Sequence, residues 1–266
     1  MTGKAITSLA NPTVKAVRAL SARKGRQESG LFLAEGLKIV AEAVAAGATP
    51  QILLHGPDAA HPLLQEAARA ARQTLLVTPA ILAKITRRDN PQTVLGVFEQ
   101  AFTPLAALDP RAARCWVALE AVRDPGNLGT IIRTADAAGC GGVILVGACC
   151  DPFSVEAVRA TMGSIFAVRI ARASVEAFVA WRGGWPGGVV GTLLTATEDF
   201  RAAPYRDPTL ILMGNEQVGL SAGLAALCDT WVKIPMRGRA DSLNLAVATG
   251  IMIYAVTERL AAVVHR

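Results

Sequence analysis

The stretch Lys233–Thr249, KIPMRGRADSLNLAVAT, decides how the rest of the chain is interpreted. An apolar run over residues 230–234 stops at Pro235, and a polar turn leads from there to an apolar helical pattern. The end of a strand and the first turn of a helix both leave backbone N–H and C=O groups unpaired, so they can bind a polar ligand. Three short polar side chains stand at this junction: Asp241, Ser242 and Asn244. The stretch therefore predicts a binding site.

A simpler interpretation of the same junction is a helix cap. Asp241 or Ser242 would then accept hydrogen bonds at the start of a helix over residues 243–259. For an isolated D-S-L-N run we would prefer this interpretation. Two further stretches favour a functional site instead: DPGNLGTIIRTA at Asp124–Ala135 and ILMGNEQVGLS at Ile211–Ser221.

Taken in chain order, these three stretches closely resemble the signature motifs of the SpoU (TrmH) branch of the SPOUT RNA methyltransferases. The resemblance is strong in the C-terminal part of the chain and looser in the N-terminal part. It implies S-adenosylmethionine as the methyl donor and the 2′-hydroxyl of an RNA ribose as the acceptor. That hydroxyl is a poor nucleophile, so such a site has to position it and help to remove its proton.

The resemblance assigns catalytic roles to residues of all three motifs: Asn127, Arg133, Glu216, Ser242 and Asn244. Arg133 would be the family's catalytic arginine, proposed as a general base or as a ligand of the phosphate beside the target ribose. We favour positioning and stabilisation of the alkoxide, because a guanidinium is effectively never deprotonated in proteins. Glu216 is expected to orient Arg133 or Asn127 through charge-assisted hydrogen bonds. Ser242 and Asn244 are expected near the 2′-hydroxyl.

The cofactor is expected to contact mainly backbone groups. The cofactor-binding residues that the resemblance implies are Leu193, Gly214, Ile234 and Leu243. Gly214 would allow close approach to the backbone, because it has no Cβ. Ordinary structural roles remain open as well: Arg133 as a surface residue of an alanine-rich helix, and Glu216 as an acid before a helix that starts near Ser221.

Length and composition indicate a folded protein with a polyanionic partner. The chain has 266 residues, 52% of them hydrophobic, which is enough for sizeable cores. The net charge of +6 and the pI of about 9.4 favour nucleic acid as the partner. No apolar run is expected to reach the roughly 18 residues of a membrane span, so we expect a soluble, cytoplasmic protein. Five cysteines without metal-ligand spacing and three scattered histidines predict reduced thiols and no metal.

The N-terminal arm is basic and contains no acid over its first 27 residues. Its cations are Lys4, Lys15, Arg18, Arg23, Lys24 and Arg26. A mitochondrial transit peptide has a similar composition, but Asn11–Leu20 also resembles the opening of the SpoU family's substrate-binding region, so we expect mature protein. The spacing of Val14, Val17 and Leu20 predicts an amphipathic helix. Its cationic face is expected on RNA phosphates, with an ordinary solvated face as the alternative.

The expected fold class is α/β with two domains, joined by the proline-containing linker Ala101–Arg111. Residues 1–105 are similar to the small α/β RNA-binding domain that SpoU members share with kink-turn-binding ribosomal proteins. Residues 110–266 alternate apolar strands with helices, which predicts a parallel sheet covered on both faces. Its predicted strands are 116–120, 143–146, 167–170, 189–193, 209–213 and 231–234. By resemblance alone, this is a SPOUT methyltransferase domain with a deep trefoil knot.

A Rossmann site is not expected, because the glycine-rich run Gly139–Gly142 follows a helix and precedes a strand. The expected function is 2′-O-methylation of RNA by a homodimer that pairs through the SPOUT domain. Large-subunit rRNA is the favoured substrate, since tRNA-acting relatives often have short terminal extensions in place of a separate RNA-binding domain. A tRNA ribose methyltransferase and a non-catalytic RNA-binding or ribosome-assembly protein remain alternatives. The second is disfavoured because all five expected catalytic residues are present.

Overall fold

The computed structural model describes residues 5–264, which divide into two compact units. The first unit contains the described residues up to Gln100 together with residues 151–167. The second contains residues 101–150 and the described residues from Val168 onward. The expected domains were continuous, so they did not anticipate that residues 151–167 pack with the N-terminal part. Lys4 of the basic arm lies outside the described residues.

The first unit is built on a four-stranded sheet. Its elements before residue 100 are α1 (Pro12–Ala19), α2 (Arg23–Ser29), β1 (Leu31–Glu35), α3 (Leu37–Ala45), β2 (Ile52–His55), α4 (Pro62–Ala70), β3 (Thr74–Leu76), α5 (Pro79–Thr86) and β4 (Val94–Glu99). The strand order is β1-β4-β2-β3, with β4 antiparallel to both neighbours and β2 parallel to β3. Helices α1 and α5 pack on each other, and so do α3 and α4. The expected α/β sandwich is confirmed.

Helix α1 shows how the local sequence sets this arrangement. The side chain of Asn11 accepts hydrogen bonds from the backbone nitrogens of Thr13, at 2.9 Å, and Val14, at 3.3 Å, which caps the helix. Val14 and Val17 then fall on one face, where both are buried in a core cluster with Ile81 of α5. The intervening basic residues fall on the other face, so the predicted amphipathic helix is confirmed.

The second unit is built on a seven-stranded sheet in which all the strand pairings are parallel. The elements after residue 100 are β5 (Cys115–Glu120), α6 (Pro125–Ala137), β6 (Val143–Val146), α7 (Val155–Thr161), β7 (Ile170–Ala173), α8 (Val175–Arg182), β8 (Gly188–Thr192), β9 (Glu198–Asp199), β10 (Thr209–Met213), α9 (Ala222–Ala225), β11 (Thr230–Lys233) and α10 (Leu245–Val264). All of them except α7 belong to the second unit. The strand order is β7-β6-β5-β10-β8-β11-β9. The parallel sheet is confirmed, and the trefoil knot stays a prediction.

Residues 151–167 join the first unit through an aromatic cluster. Phe153 and Phe166 lie against Phe32 of β1, with ring centroids 4.9 Å and 5.6 Å away, and Phe166 also meets Phe98 of β4 edge-on at 4.7 Å. Aromatic pairs at these distances add attraction beyond the area that they bury. This cluster explains why a segment from the middle of the chain completes the N-terminal core.

Two ion pairs anchor the same segment. The guanidinium of Arg26 lies 2.7 Å from the carboxylate of Asp151, and that of Arg159 lies 2.6 Å from Glu35 at the end of β1. The side chains of Arg26 and Glu35 are only 4% and 3% exposed. Because these charges are buried, each needs its partner to offset the loss of hydration.

Helix α10 is longer and more apolar than the sequence pattern suggested. Its window Leu245–Ala262 has a mean hydropathy of 1.4, enough by length and composition alone to cross a membrane, and 39% of the window is buried. The expectation that no apolar segment reaches this length is therefore wrong for this helix. It packs on α6 and against β5 and β10, and it buries Met252, Ile253 and Val256 there.

Removing the charge of Arg159 should destabilise the first unit. Arg159→Ala leaves the Glu35 carboxylate buried without a cation, so we expect the free energy of unfolding to fall by about 3 kcal/mol in urea denaturation. Arg201→Ala is the matched control. Arg201 also lies 2.6 Å from a carboxylate, that of Asp199, but it is 58% exposed, so its loss should cost less than about 1 kcal/mol. Equal effects of the two substitutions would contradict the interpretation.

Candidate active site

A cavity of about 900 Å³ opens beside the ends of β8, β10 and β11 in the second unit. Ligands collect at the C-terminal ends of parallel strands, because the loops that leave those ends are free to vary. All but one of the expected site residues line this cavity: Asn127, Leu193, Gly214, Glu216, Ile234, Ser242, Leu243 and Asn244. The structure thus brings the three sequence motifs to one place.

The loop after β10 has a tight fold of its own. Asn215 and Gly219 exchange two backbone hydrogen bonds, of 3.0 Å and 2.9 Å, and Gly219 adopts a positive φ of +71°. A Cβ on Gly214 would collide with the backbone of Gly219 and Leu220. The expected reason for Gly214 was close approach of a ligand. The structure gives a second reason, because the loop itself leaves no room for a side chain there.

Asn215 is a residue of this loop that sequence reasoning missed. Its side chain is buried, donates to the carbonyl of Ala121 at 2.8 Å and accepts from the backbone nitrogen of Gln217 at 2.9 Å. Ala121 follows β5 and has a φ of +49°, which is uncommon for a residue with a Cβ. The amide therefore fixes the cavity loop to the end of β5. An asparagine directly after a strand and a glycine is a turn signal, so the turn could have been predicted, but not its contact with Ala121.

A chain of hydrogen bonds links the three motifs. The Asn244 Nδ2 atom donates to Asn127 Oδ1 at 2.9 Å, and Asn127 Nδ2 donates to Glu216 Oε1 at 3.4 Å. The backbone of Asn127 is held in turn by Asp124, whose carboxylate accepts from its nitrogen at 2.6 Å and caps α6. The arrangement agrees with the expected pairing of Glu216 with Asn127. Glu216 lies in the cavity loop, five residues before Ser221, the N-cap of α9, so it is not a residue of that helix's first turn.

Asn244 also caps α10. Its Oδ1 atom accepts from the backbone nitrogens of Ala246, at 2.9 Å, and Val247, at 3.3 Å. The cap is therefore not Asp241 or Ser242, whose side chains bond to each other at 3.2 Å on the cavity wall. The helix begins at Leu245, two residues later than predicted, because the capping residue lies further along the chain.

Arg133 is the one expected site residue that does not line the cavity. It lies on the exposed side of α6, six residues after Asn127. Six residues turn a helix by roughly 600°, which leaves the two side chains about 120° apart around its axis. Arg123 lies next to the cavity loop of the same chain, and its Nη1 atom donates to Gln217 at 3.1 Å.

The remaining lining suits a partly apolar cofactor. Leu193, Val218 and Leu243 are 48%, 82% and 38% exposed, so apolar surface is available in the cavity wall. Exposed apolar side chains gathered in a concave, mixed lining are typical of sites for small organic ligands. Together with Ile234 and the backbone at Gly214, they form the part of the lining where the sequence motifs predict the cofactor. In the part of the chain that the structure describes, no group of three or more metal-binding side chains occurs.

The Cys150 thiol, which senses the charges of Glu216 and Asp124, is unreactive at neutral pH. Burial, together with the nearby Cys149, Glu216 and Asp124, raises the pKa of the Cys150 thiol to about 12. At neutral pH it is therefore protonated and is not a nucleophile. All five cysteines are free thiols, as expected from their spacing.

The role of Asn215 can be tested by stability. Asn215→Ala removes both hydrogen bonds of a buried amide and leaves the Ala121 carbonyl unpaired, so we expect the free energy of unfolding to fall by about 2 kcal/mol in urea denaturation. Gln217→Ala, in the same loop but exposed, should change it by less than about 0.5 kcal/mol. A stability of Asn215→Ala equal to that of the control would show that the loop does not depend on this amide.

Comparisons with known proteins show which protein family this chain resembles. Residues 114–254 match the SpoU rRNA Methylase family, and residues 11–96 match the MRM3-like substrate binding domain. The 23S rRNA (guanosine(2553)-2′-O)-methyltransferase RlmP of Bacillus subtilis is 31% identical over 251 residues, which cover 94% of this chain and 98% of the relative.

Solved structures similar to this chain are also described as methyltransferases. An AdoMet-bound rRNA methyltransferase from Sinorhizobium meliloti is 48% identical with a TM-score of 0.89, covering 97% of this chain and 98% of its own. The SpoU methyltransferase AviRb from Streptomyces viridochromogenes is 31% identical with a TM-score of 0.83, covering 95% of this chain and 98% of its own. Because the SpoU match spans more than half of the chain and contains all three motifs, this protein belongs to the SpoU rRNA methylase family.

Proposed function

We propose that this protein is an S-adenosylmethionine-dependent RNA ribose 2′-O-methyltransferase that acts on large-subunit rRNA. The observation that carries the proposal is the hydrogen-bond chain from Asn244 through Asn127 to Glu216, which joins three separate motifs at one cavity. The names of its relatives support the substrate class, since RlmP is described as a 23S rRNA 2′-O-methyltransferase. The bound AdoMet of the Sinorhizobium meliloti structure supports the cofactor.

Some residues of the cavity would bind the cofactor, and others would position the ribose. Leu193, Gly214, Ile234 and Leu243 would hold S-adenosylmethionine, which supplies an activated methyl group when it is bound. Asn127, Ser242 and Asn244 present amide and hydroxyl groups to the same space. The Glu216 carboxylate accepts from Asn127, so it orients that amide and, through it, Asn244. Preorganised dipoles of this kind lower the barrier because they need not reorient during the reaction.

Arg133 would act in the cavity of a second copy of the chain. Helix α6, which carries the exposed Arg133, packs on α10, on which Val247 and Tyr254 are 52% and 46% exposed. An apolar surface of this kind suits a two-fold interface, in which the same patch of each copy meets its equivalent. In such a dimer the guanidinium outside its own cavity would reach the partner's cavity and bind the phosphate beside the ribose. We propose a cytoplasmic homodimer with two composite sites.

The alternative substrate is tRNA, and the alternative function is RNA binding without catalysis. The match of residues 11–96 to a substrate-binding domain favours a large RNA, and the presence of every expected catalytic side chain favours an enzyme. A direct test supplies the protein with labelled S-adenosylmethionine and either transcribed large-subunit rRNA or bulk tRNA. Nuclease digestion and mass spectrometry should then find a 2′-O-methylated nucleotide in the rRNA. Methylation of tRNA alone would overturn the substrate, and no methylation of either, or methylation at a base, would overturn the activity.

The two roles of Asn244 can be separated by substitution. Asn244→Ser keeps an oxygen that caps α10 but is too short to reach Asn127, so we expect near-normal stability and roughly a hundredfold loss of turnover. Asn244→Ala loses the cap as well and should also cost about 1 kcal/mol of stability. Thermal unfolding and single-turnover methyl transfer measure the two effects. Near-normal turnover of Asn244→Ser would remove Asn244 from the catalytic group.

The composite site predicts complementation between two inactive variants. Arg133→Ala and Glu216→Gln should each lower turnover roughly a hundredfold, with little change in cofactor affinity for Arg133→Ala. If Arg133 serves the partner's site, equal mixing should restore about one quarter of wild-type turnover, since half of the dimers then carry one intact site. Turnover before and after mixing measures this, and light scattering should give a dimer mass. No recovery in a mixture that exchanges subunits would place Arg133 in its own site.

A further inference from the structure

We propose that the outer surface of α1, α2 and α5 binds the phosphate backbone of the substrate RNA. This inference rests on the proposed function, because it assumes that RNA is the substrate. The surface, called the cationic face here, consists of Lys15, Arg18, Arg23, Lys24, Lys84, Arg87 and Arg88. The first four belong to the basic arm that the sequence reveals. Lys84 lies in α5, and Arg87 and Arg88 follow directly after it; the packing of α5 on α1 brings these two distant parts of the chain together.

Packing explains why these two basic segments meet. Ile6 and Val77 form an isolated parallel bridge, with hydrogen bonds from Ile6 N to Leu76 O at 2.9 Å and from Thr78 N to Ile6 O at 3.3 Å. Both α1 and α5 start shortly after this pair. They bury their apolar faces in one core cluster, which contains Val14 and Val17 from α1 together with Ile81 and Ile85 from α5. Lys15, Arg18 and Lys84 therefore lie on the solvent side of two adjacent helices.

The charges of the cationic face are available to a ligand. Six of the seven side chains are exposed, and Arg88 is half-buried. Lys24 lies 3.8 Å from Glu28, and both side chains are more than half exposed, so this pair is weak. Across residues 5–264, no salt bridge is made by Lys15, Arg18, Arg23, Lys84, Arg87 or Arg88. Clustered, unneutralised cations are the electrostatic footprint of a nucleic-acid-binding surface.

Arg26 shows that not every cation of the arm belongs to this surface. It is only 4% exposed, and its guanidinium donates to Asp151 and, at 2.8 Å, to the carbonyl of Leu20. The sequence pattern counted Arg26 with the other basic residues of the arm. The structure assigns it to the interior, so substitutions of Arg26 would report on folding and not on RNA binding.

A competing explanation is that these cations only stabilise helix ends. Arg18 and Lys84 lie in the last turns of α1 and α5, where a positive charge interacts favourably with the helix dipole. That explanation does not apply to Arg23 and Lys24, which lie in the first turn of α2, where a positive charge is unfavourable. A ligand with negative charge accounts for both locations.

The first test compares two triple variants of the full-length protein, with in vitro transcribed large-subunit rRNA as the probe. Lys15→Gln, Arg18→Gln and Lys84→Gln together remove three charges from the cationic face. The matched control, Lys38→Gln, Arg69→Gln and Arg72→Gln, removes three exposed charges from α3, α4 and the turn after α4. Filter binding between 50 and 200 mM KCl gives a slope of log Kd against log salt concentration. For the first variant, we expect this slope to be smaller than that of the wild type by about 2 to 3. We also expect its Kd to be about tenfold higher or more. The control should bind like the wild type.

A second measurement needs no variant. Acylation of wild-type lysines by an amine-reactive ester, with and without the rRNA, should show protection of Lys15 and Lys84 and no protection of Lys38. Equal binding by the two triple variants, or equal protection of all three lysines, would overturn the proposed surface. Methyl transfer distinguishes this failure from failure of the function. The first variant should keep wild-type turnover at saturating RNA with a raised KM, whereas an inactive wild-type protein would refute the proposed function itself.

Discussion

The hydrogen bond between Asn244 and Asn127 is the contact on which the candidate site depends. It joins residues 117 positions apart in the chain, at the starts of α10 and α6. An amide offers a donor and an acceptor at once, so Asn244 can cap a 20-residue helix with its oxygen and hold Asn127 with its nitrogen. An ionised aspartate has no donor, and a serine hydroxyl is too short to reach Asn127 while it caps the helix. Since α6 and α10 also pack on each other, helix packing keeps the two amides within reach.

Much of the fold was predictable because its strands are short apolar runs between turn residues. The predicted bounds of β6, 143–146, and β10, 209–213, agree with the structure. The prediction for β7 was wrong by three residues, because Ser164–Phe166 forms a 3-10 turn and the strand starts only at Ile170. Helix α2 and the two-residue strand β9 were not predicted, since neither has enough apolar residues to show a period.

The site was partly predictable for a different reason. Motif residues carry a local signature, so eight of the nine expected residues lie at the cavity, while their roles stay predictions. What the sequence could not show was the direction of each side chain after folding. Arg133 is exposed and does not line the cavity of its own chain, and Arg26 is buried in the interior. Asn215 was missed because its structural role depends on a long-range contact with Ala121. No sequence pattern indicates such a contact.

The interleaving of the two units also constrains how the chain can be made. During synthesis, the core of the first unit remains incomplete until Phe153 and Phe166 have left the ribosome, after β5, α6 and β6 have already been produced. The nascent chain therefore carries an unfinished aromatic surface for longer than an N-terminal domain usually does. For the same reason, a cut near residue 100 does not separate the chain into its two units. Such a cut would remove the N-terminal side chains that bury residues 151–167. Gene fusion or domain exchange in such a protein has to transfer both pieces of the first unit together.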